Sequence, residues 1–249
     1  MKRGFAALFF MLCACKSIEI PPQYTYDEIQ TSTFKIAVWK KITDPSMPYK
    51  IYIEGDGSAF TPSGRVSSDP TPNGTLVRKL AFGDPHLNVI YMARACQYVQ
   101  DRACKPVYWS TARFSPETIQ AAYETIQKIA ADKPLTLVGF SGGAQIAGLI
   151  AVKYPDLDIR KLVTVAGNLD VRAWTDHHKL PPLDLSDDLR NYAAAYARFP
   201  QVHYIGLKDD NIVASISENF VANPQTLKKI KSASHARGWE SAFQKIQAE

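Results

Sequence analysis

The order of short apolar runs along the chain constrains its fold more than any other feature. Runs rich in β-branched and aromatic residues occur at Phe34–Trp39, Ile51–Ile53, Asn88–Met92, Leu135–Val138, Leu162–Val165, Val202–Leu207 and Thr226–Ile230. Several are apolar without alternation, as strands covered on both faces are. Stretches with helical spacing separate them. In Pro116–Ala131, Ser115 stands as the cap, Pro116 at the first helical position and Glu117 in the first turn, while Ile119, Ala122, Tyr123, Ile126 and Ile129 recur on one face. Gly142–Tyr154 reads as a helix of small residues ended by Pro155, and Arg237–Ala248 as a final helix. Strands that alternate with helices make an α/β fold, a mostly parallel sheet flanked by helices. Two segments stand outside the alternation. Gly57–Asn73 reads as a long loop above the sheet edge. Leu169–Pro200, with Trp174, Asp176, His177, His178 and a helix over Ser186–Phe199, reads as a small cap.

The strand Leu135–Val138 runs into Gly139-Phe140-Ser141-Gly142-Gly143, and the helix Gly142–Tyr154 follows at once. A serine on a tight strand-to-helix turn is exposed to a substrate, and only glycine tolerates the close packing on either side. The helix N-terminus beside it favours developing negative charge. A hydroxyl is a weak nucleophile until a base takes its proton. Two histidines stand well downstream of the cap, His203 and His235. His203 falls inside a strand, where a structural histidine is expected. His235 falls in the loop Ser232-Ala233-Ser234-His235-Ala236-Arg237-Gly238-Trp239, from which a general base can hang over the serine. The bland alternatives are a Gly-rich turn with a capping serine and a surface histidine. The strand–turn–helix context favours the chemical reading.

With these elements in place, the chain resembles the α/β-hydrolase superfamily from about residue 33 to the end. The resemblance implies partners in the order serine, acid, histidine. Many α/β-hydrolases carry G-x-x-D-x-x-[VI] at the acid, and Tyr204 to Val213 resembles it. Gly206, Asp209 and Ile212 match in register and favour Asp209; Asp210 with Val213 matches only the second half and stays as the alternative. The resemblance also implies an oxyanion hole. One donor is the N–H of Gly142; the other lies in Glu54-Gly55-Asp56-Gly57-Ser58, which is similar to the H-G-x-G loop with Glu54 where histidine is common. Asp56 N–H is the expected donor there, and Gly57 N–H the second choice. More narrowly, the chain resembles uncharacterised proteobacterial lipoproteins of the superfamily. The shared marks are the E-G-D-G loop, Asp69-Pro70-Thr71-Pro72, Arg94-Ala95-Cys96-Gln97-Tyr98, Tyr108-Trp109 to Arg113-Phe114, and Asn168-Leu169-Asp170 to Trp174-Thr175. These marks point to no particular substrate.

The start of the chain bears on location. Lys2 and Arg3 precede the apolar stretch Gly4 to Leu12, which has signal-peptide length and is too short to span a bilayer as a helix. Leu12-Cys13-Ala14-Cys15 resembles the bacterial lipobox, with small Ala14 before a lipidated Cys15. Residues 1–14 are then a lipoprotein signal peptide, 15–30 a lipidated tether containing Pro21-Pro22, and 31–249 the hydrolase domain with its cap at 169–200. Two or more acyl chains anchor stably where one does not. An ordinary secretory signal is the alternative. Lys16, not an aspartate, follows the cysteine, and by resemblance to lipoproteins of double-membrane bacteria this favours the outer membrane. Export to an oxidising compartment makes Cys96 and Cys104 a disulfide pair. A zinc site would need two further ligands at a recognisable spacing, which the sequence does not offer.

With 249 residues, 46% hydrophobic and 21% charged, the composition suits one globular domain. The formal charge of +5 is scattered, without a run of five or six basic residues, so a nucleic-acid partner is not expected. No cofactor is expected. The resemblance implies a membrane-anchored serine hydrolase, a carboxylesterase that acts on a small-molecule ester through an acyl intermediate on Ser141. An acyltransferase or peptidase would use the same residues. A non-catalytic, ligand-binding envelope protein could keep the fold, but the complete serine–acid–histidine order argues against it.

Overall fold

The computed structural model describes residues 19–130 and 132–249. Its strands are β1 (Thr25–Gln30), β2 (Lys35–Ile42), β3 (Tyr49–Ile53), β4 (Asn88–Met92), β5 (Leu135–Phe140), β6 (Ile159–Val165), β7 (Gln201–Gly206) and β8 (Leu227–Ile230). They form one sheet in the order β1-β2-β4-β3-β5-β6-β7-β8. From β4 to β8 neighbouring strands are parallel; β2 pairs antiparallel with β4, and β1 antiparallel with β2. β3 and β4 are buried along their whole length, which is why they read as unbroken apolar runs.

Helices cover both faces. α1 (Leu76–Phe82) and α7 (Phe243–Ala248) pack on one, with Leu80, Trp239 and Ile246 in the core between. α2 (Pro116–Ala130) and α3 (Gly142–Lys153) pack on the other through Ile119, Ile126, Leu149 and Ile150. The chain steps from β3 outward to β4, then crosses back to β5 on the far side of β3. Connections therefore leave β3 and β5 on opposite faces, and a crevice opens beyond their carboxyl ends.

Three expectations need correction. Residues 25–30, expected within a tether, form β1. Its outward residues are polar, so it lacks an apolar signal, and backbone pairing with β2 together with Tyr26 against Trp39 at 4.9 Å places it in the sheet. Segment 169–200 is not one cap. α4 (Val171–His177) lies near the crevice, but α5 (Ala193–Tyr196) and the turn Leu189–Tyr192 belong to the layer beside α3. There Leu189 and Tyr196 fill the space that Gly148 leaves open. The expected helix Ser186–Phe199 is thus only these two short turns. The final helix begins at Phe243, after a short turn at Glu240–Ala242, not at Arg237. Gly238 has φ +79° and abuts Ser232, so residues 232–239 close as a turn, with Ser232 Oγ donating to Gly238 O at 2.8 Å.

Cys96 and Cys104 are joined, with Cα atoms 5.5 Å apart. The bridge closes the loop after β4, in which Cys96 and Tyr98 hold left-handed backbone angles of φ 69° and 64°. Between them Gln97 donates from Nε2 to Gly55 O at 2.9 Å, which ties this loop to the one after β3. Replacing Cys104 with alanine should lower the stability of the oxidised protein by about 2–3 kcal/mol, the chain-entropy value for so short a loop. Chemical denaturation of the two proteins checks this, and coincident midpoints would show that the bridge contributes nothing.

Candidate active site

The turn from β5 into α3 puts Ser141 at φ 51° and ψ −122°, a conformation that L-residues other than glycine seldom adopt. It is held from both sides. Ser141 N–H donates to Val165 O of β6 at 3.1 Å, and Ser141 O accepts from Ala144 N at 3.1 Å and Asn168 N at 3.0 Å. The flanking glycines have steric reasons. A Cβ on Gly139 would strike the backbone of Gly143 and Ala144, and one on Gly143 would strike the carbonyls of Ile53 and Glu54. The elbow is therefore pressed against the end of β3.

His235 hangs over the serine from the loop after β8. Its Nε2 lies 3.1 Å from Ser141 Oγ, and its Nδ1 lies 2.9 Å from Asp209 Oδ2. A carboxylate only accepts, so Nδ1 carries the proton and Nε2 is free to accept from the serine hydroxyl. Phe140 packs beside the imidazole with ring centres 5.1 Å apart, and Trp239 Nε1 donates to His235 O at 3.2 Å. The Asp209 side chain is wholly buried. Its Oδ1 accepts from the N–H groups of Asn211 at 2.9 Å and Ile212 at 2.8 Å, which leaves Oδ2 for the histidine. Asp210 is exposed at the next position. Of the two aspartates, the structure brings Asp209 to His235. His203 is elsewhere, buried in β7 between Thr164 Oγ1 at 2.9 Å and Gln201 Oε1 at 2.8 Å. Burial pushes its pKa down to about 4, so it stays neutral at pH 7.

The loop after β3 completes the crevice. A Cβ on Gly55 would meet Ser141 Cβ at 3.1 Å, so the loop passes directly against the elbow. Gly57 needs its left-handed φ of 65°, where a side chain would run into Pro70 O. Gly142 N–H opens α3 without a carbonyl one turn back to bond. Among the described residues, neither this N–H nor that of Asp56 is taken by another acceptor. Glu54 turns back under the loop, where Oε1 accepts from Gly55 N at 2.9 Å and Oε2 from Tyr91 OH at 2.8 Å. Burial raises its pKa.

Reading from the sequence missed the partners of the Asp56 side chain. Asp56 Oδ1 pairs with Arg94 Nη1, and Oδ2 pairs with Arg113 Nη1 at 2.6 Å. Its partial burial alone would push the pKa up, but Arg113 and Arg94 outweigh this and hold it down at about 2. Arg94 also donates to Arg113 O at 2.6 Å, and Arg113 Nε to Ser110 O at 2.6 Å. Both arginines lie in stretches noted in the sequence, Arg94-Ala95-Cys96-Gln97-Tyr98 and Tyr108-Trp109 to Arg113-Phe114. Thr71, whose Oγ1 accepts from Tyr98 N at 2.8 Å, and Trp174, whose Nε1 donates to Asn211 O at 3.1 Å, lie in two more. These scattered marks converge on one site, though no spacing in the chain foretells it. The cleft over Ser141 and His235 has a volume of about 260 Å³, with Leu76, Val77, Pro72 and Ala236 among its walls. No group of three or more His, Cys, Asp or Glu side chains among the described residues could hold a metal ion.

Solved structures that resemble this chain share the same architecture. The esterase Pf2001 of Pyrococcus furiosus superposes with a TM-score of 0.57 at 14% identity, covering 90% of this chain and 87% of that one. The esterase domain of a Rhodothermus marinus protein gives 0.60 at 11% identity, covering 90% and 95%. An α/β fold family hydrolase of Bacillus anthracis gives 0.62 at 14% identity, covering 90% and 98%. The chain has the α/β-hydrolase fold. No protein-family model matches it, and no curated protein matches it in sequence.

In this α/β-hydrolase fold Asp209 is the carboxylate, among the described residues, that reaches the imidazole. Asp209→Asn should slow covalent labelling of Ser141 by a fluorophosphonate by about a thousandfold or more, through the wrong histidine tautomer. Asp210→Asn should change it by less than about twofold, as surface changes do. Second-order labelling rates decide, and equal losses in the two variants would remove Asp209 from the role.

Proposed function

We propose that the chain is a serine hydrolase that cleaves carboxylic esters, with Ser141 as nucleophile. The observation that carries this reading is the unbroken line from Asp209 Oδ2 through His235 to Ser141 Oγ, with spacings of 2.9 and 3.1 Å, at a strained strand-to-helix turn. His235 Nε2 takes the hydroxyl proton as Oγ adds to the ester carbonyl. Asp209 holds the tautomer and stabilises the imidazolium. The carbonyl oxygen becomes an oxyanion, received by the N–H groups of Gly142 and Asp56 and favoured by the start of α3. His235 then returns the proton to the leaving alcohol, and the acyl group stays on Ser141. Water, deprotonated by His235, then adds to the acyl carbonyl, and the acid leaves as His235 returns that proton to Ser141 Oγ. The esterases that share the fold support this choice of bond. Transfer to another acceptor, or peptide hydrolysis, would use the same residues and differ in what gives up or takes the acyl unit.

Ser141→Ala should abolish fluorophosphonate labelling and lower hydrolysis of a short p-nitrophenyl ester by at least about 10³-fold, the loss typical when such a nucleophile is removed. Circular dichroism should be unchanged. Wild-type rates in this variant would sink the assignment.

The protein is further proposed to be exported and tethered to a bacterial membrane, the outer membrane by preference, through a lipid on Cys15. Residues 1–18 lie outside those the structure describes, so this reading rests on the signal-like stretch and the lipobox resemblance. The Cys96–Cys104 pair is consistent with an oxidising compartment. Cys15→Ser should move the protein out of the membrane fraction or leave its signal uncleaved. Intact-mass spectrometry of the wild type should give a lipidated chain starting at Cys15; an unmodified chain starting elsewhere would refute the anchor.

A further inference from the structure

We propose that a second cavity beside the Ser141 cleft is the binding site for an apolar acyl group, and that the 260 Å³ cleft on the His235 side holds the leaving group. This rests on the hydrolase reading above. The second cavity has a volume of about 560 Å³. It meets the Ser141 cleft along Asp56, Gly57 and Asn211, which line both, while Ser141 and His235 line only the first.

Its large apolar side chains come from two segments that contribute nothing to the triad, and Ser110, Thr111, Arg113 and Asn211 complete the lining. Phe60 and Val66 stand on the loop after β3, and Trp174, Leu180 and Leu183 on α4 and the stretch behind it. Phe60, Val66 and Leu180 are 43%, 42% and 45% exposed. Clustered apolar side chains left in water around a concavity mark a binding groove more often than a chance surface. These walls are held in place. The Arg113 guanidinium lies between Phe60, 5.4 Å from the ring centre, and Trp174, 5.5 Å from its ring. Trp174 Nε1 and His178 Nε2 both meet Asn211 O, at 3.1 and 2.7 Å, which joins this wall to the loop that bears Asp209.

The two charged side chains that line this cavity, Arg113 and Asp56, pair with each other; Arg94, which also holds Asp56, does not line it. Arg113 Nη1 pairs with Asp56 at 2.6 Å and Nε is spent on Ser110 O at 2.6 Å. A charged acyl group would have to break that pairing, whereas a neutral apolar one leaves it alone. Direction follows from proton transfer. His235 must stand beside the leaving oxygen to protonate it, so the leaving group lies on the His235 side and the acyl group on the side away from it. Because Ser141 does not line the cavity, the shortest acyl groups do not reach it. Affinity should rise only once the chain is long enough to enter.

Alkyl phosphonofluoridates test this, since their alkyl group stands where the acyl group would and fluoride leaves. In wild-type protein the rate of Ser141 labelling should be at least about tenfold higher with an octyl than with a methyl probe, a modest part of the gain for burying several methylenes. Phe60→Gln and Leu180→Gln, made separately at exposed positions, should each lower the octyl-to-methyl ratio by about threefold or more. Labelling by the methyl probe reports that each variant still has an assembled triad. A wild-type ratio near one overturns the inference, as does a high ratio that neither variant moves, because the chain would then lie elsewhere. Absence of labelling with every probe would instead sink the hydrolase reading and the inference with it.

Discussion

The strained backbone at Ser141 is the constraint on which the rest of the structure depends. A non-glycine residue at φ 51° sits in a region that costs of order 1–3 kcal/mol. Such strain persists only where the surroundings over-determine it. Here β5 lies in the middle of the sheet and is hydrogen-bonded to β3 and β6 on its two sides. The elbow emerges where the connections of β3 and β5 diverge. Gly139 and Gly143 let β5, α3 and the end of β3 approach within backbone contact. The same closeness sets the Asp56 side chain and Arg94 against Gly142 at the start of α3, while His235 meets the serine from the loop after β8.

Around this elbow, a single ion cluster ties together loops from different parts of the chain. Asp56 follows β3, Arg94 follows β4, and Arg113 precedes α2; Arg94 also stacks over Phe114 at 5.0 Å. Taking charges out of water is unfavourable, and removal of one partner from a buried pair destabilises by about 3–5 kcal/mol because the other is left uncompensated. Two guanidinium groups on one carboxylate meet that cost and leave the cluster net positive, against Gly142 at the start of α3. The Cys96–Cys104 bridge and the Gln97 contact to Gly55 support the same loop from behind. Geometry at the serine is thus maintained by residues that never touch it.

The chain's own pattern carried much of this. Strands covered on both faces, such as β3 and β4, announce themselves as unbroken apolar runs, and β2 to β8 were each legible to within a few residues. The glycine-flanked serine at a strand-to-helix junction was legible because the constraint is steric and local. Asp209 was legible only because Gly206, Asp209 and Ile212 resemble the acid motif of α/β-hydrolases, and the structure shows what that spacing does. The turn that aims Oδ2 at His235 is closed by Oδ1 on the N–H groups of Asn211 and Ile212. What failed were elements without a local apolar signal. β1 has a polar outer face and exists because β2 offers it an edge. The stretch 169–200 divides because Leu189 and Tyr196 are drawn to the gap over Gly148, which no spacing within the segment reveals.

By itself, then, the sequence determined the order of β2 to β8 and the glycine-flanked elbow at Ser141, which depend on near neighbours in the chain, while Asp209 and His235 became candidates through the superfamily resemblance and the place of His235 in the loop after the last strand. Only the tertiary structure decided that the three meet at 3.1 and 2.9 Å, that Asp56 is claimed by Arg94 and Arg113, and that Phe60 and Trp174 face each other across Arg113. Those pairings join residues 26 to 114 positions apart, and long-range partners are chosen by how the sheet brings loop ends together, not by any rule of local spacing.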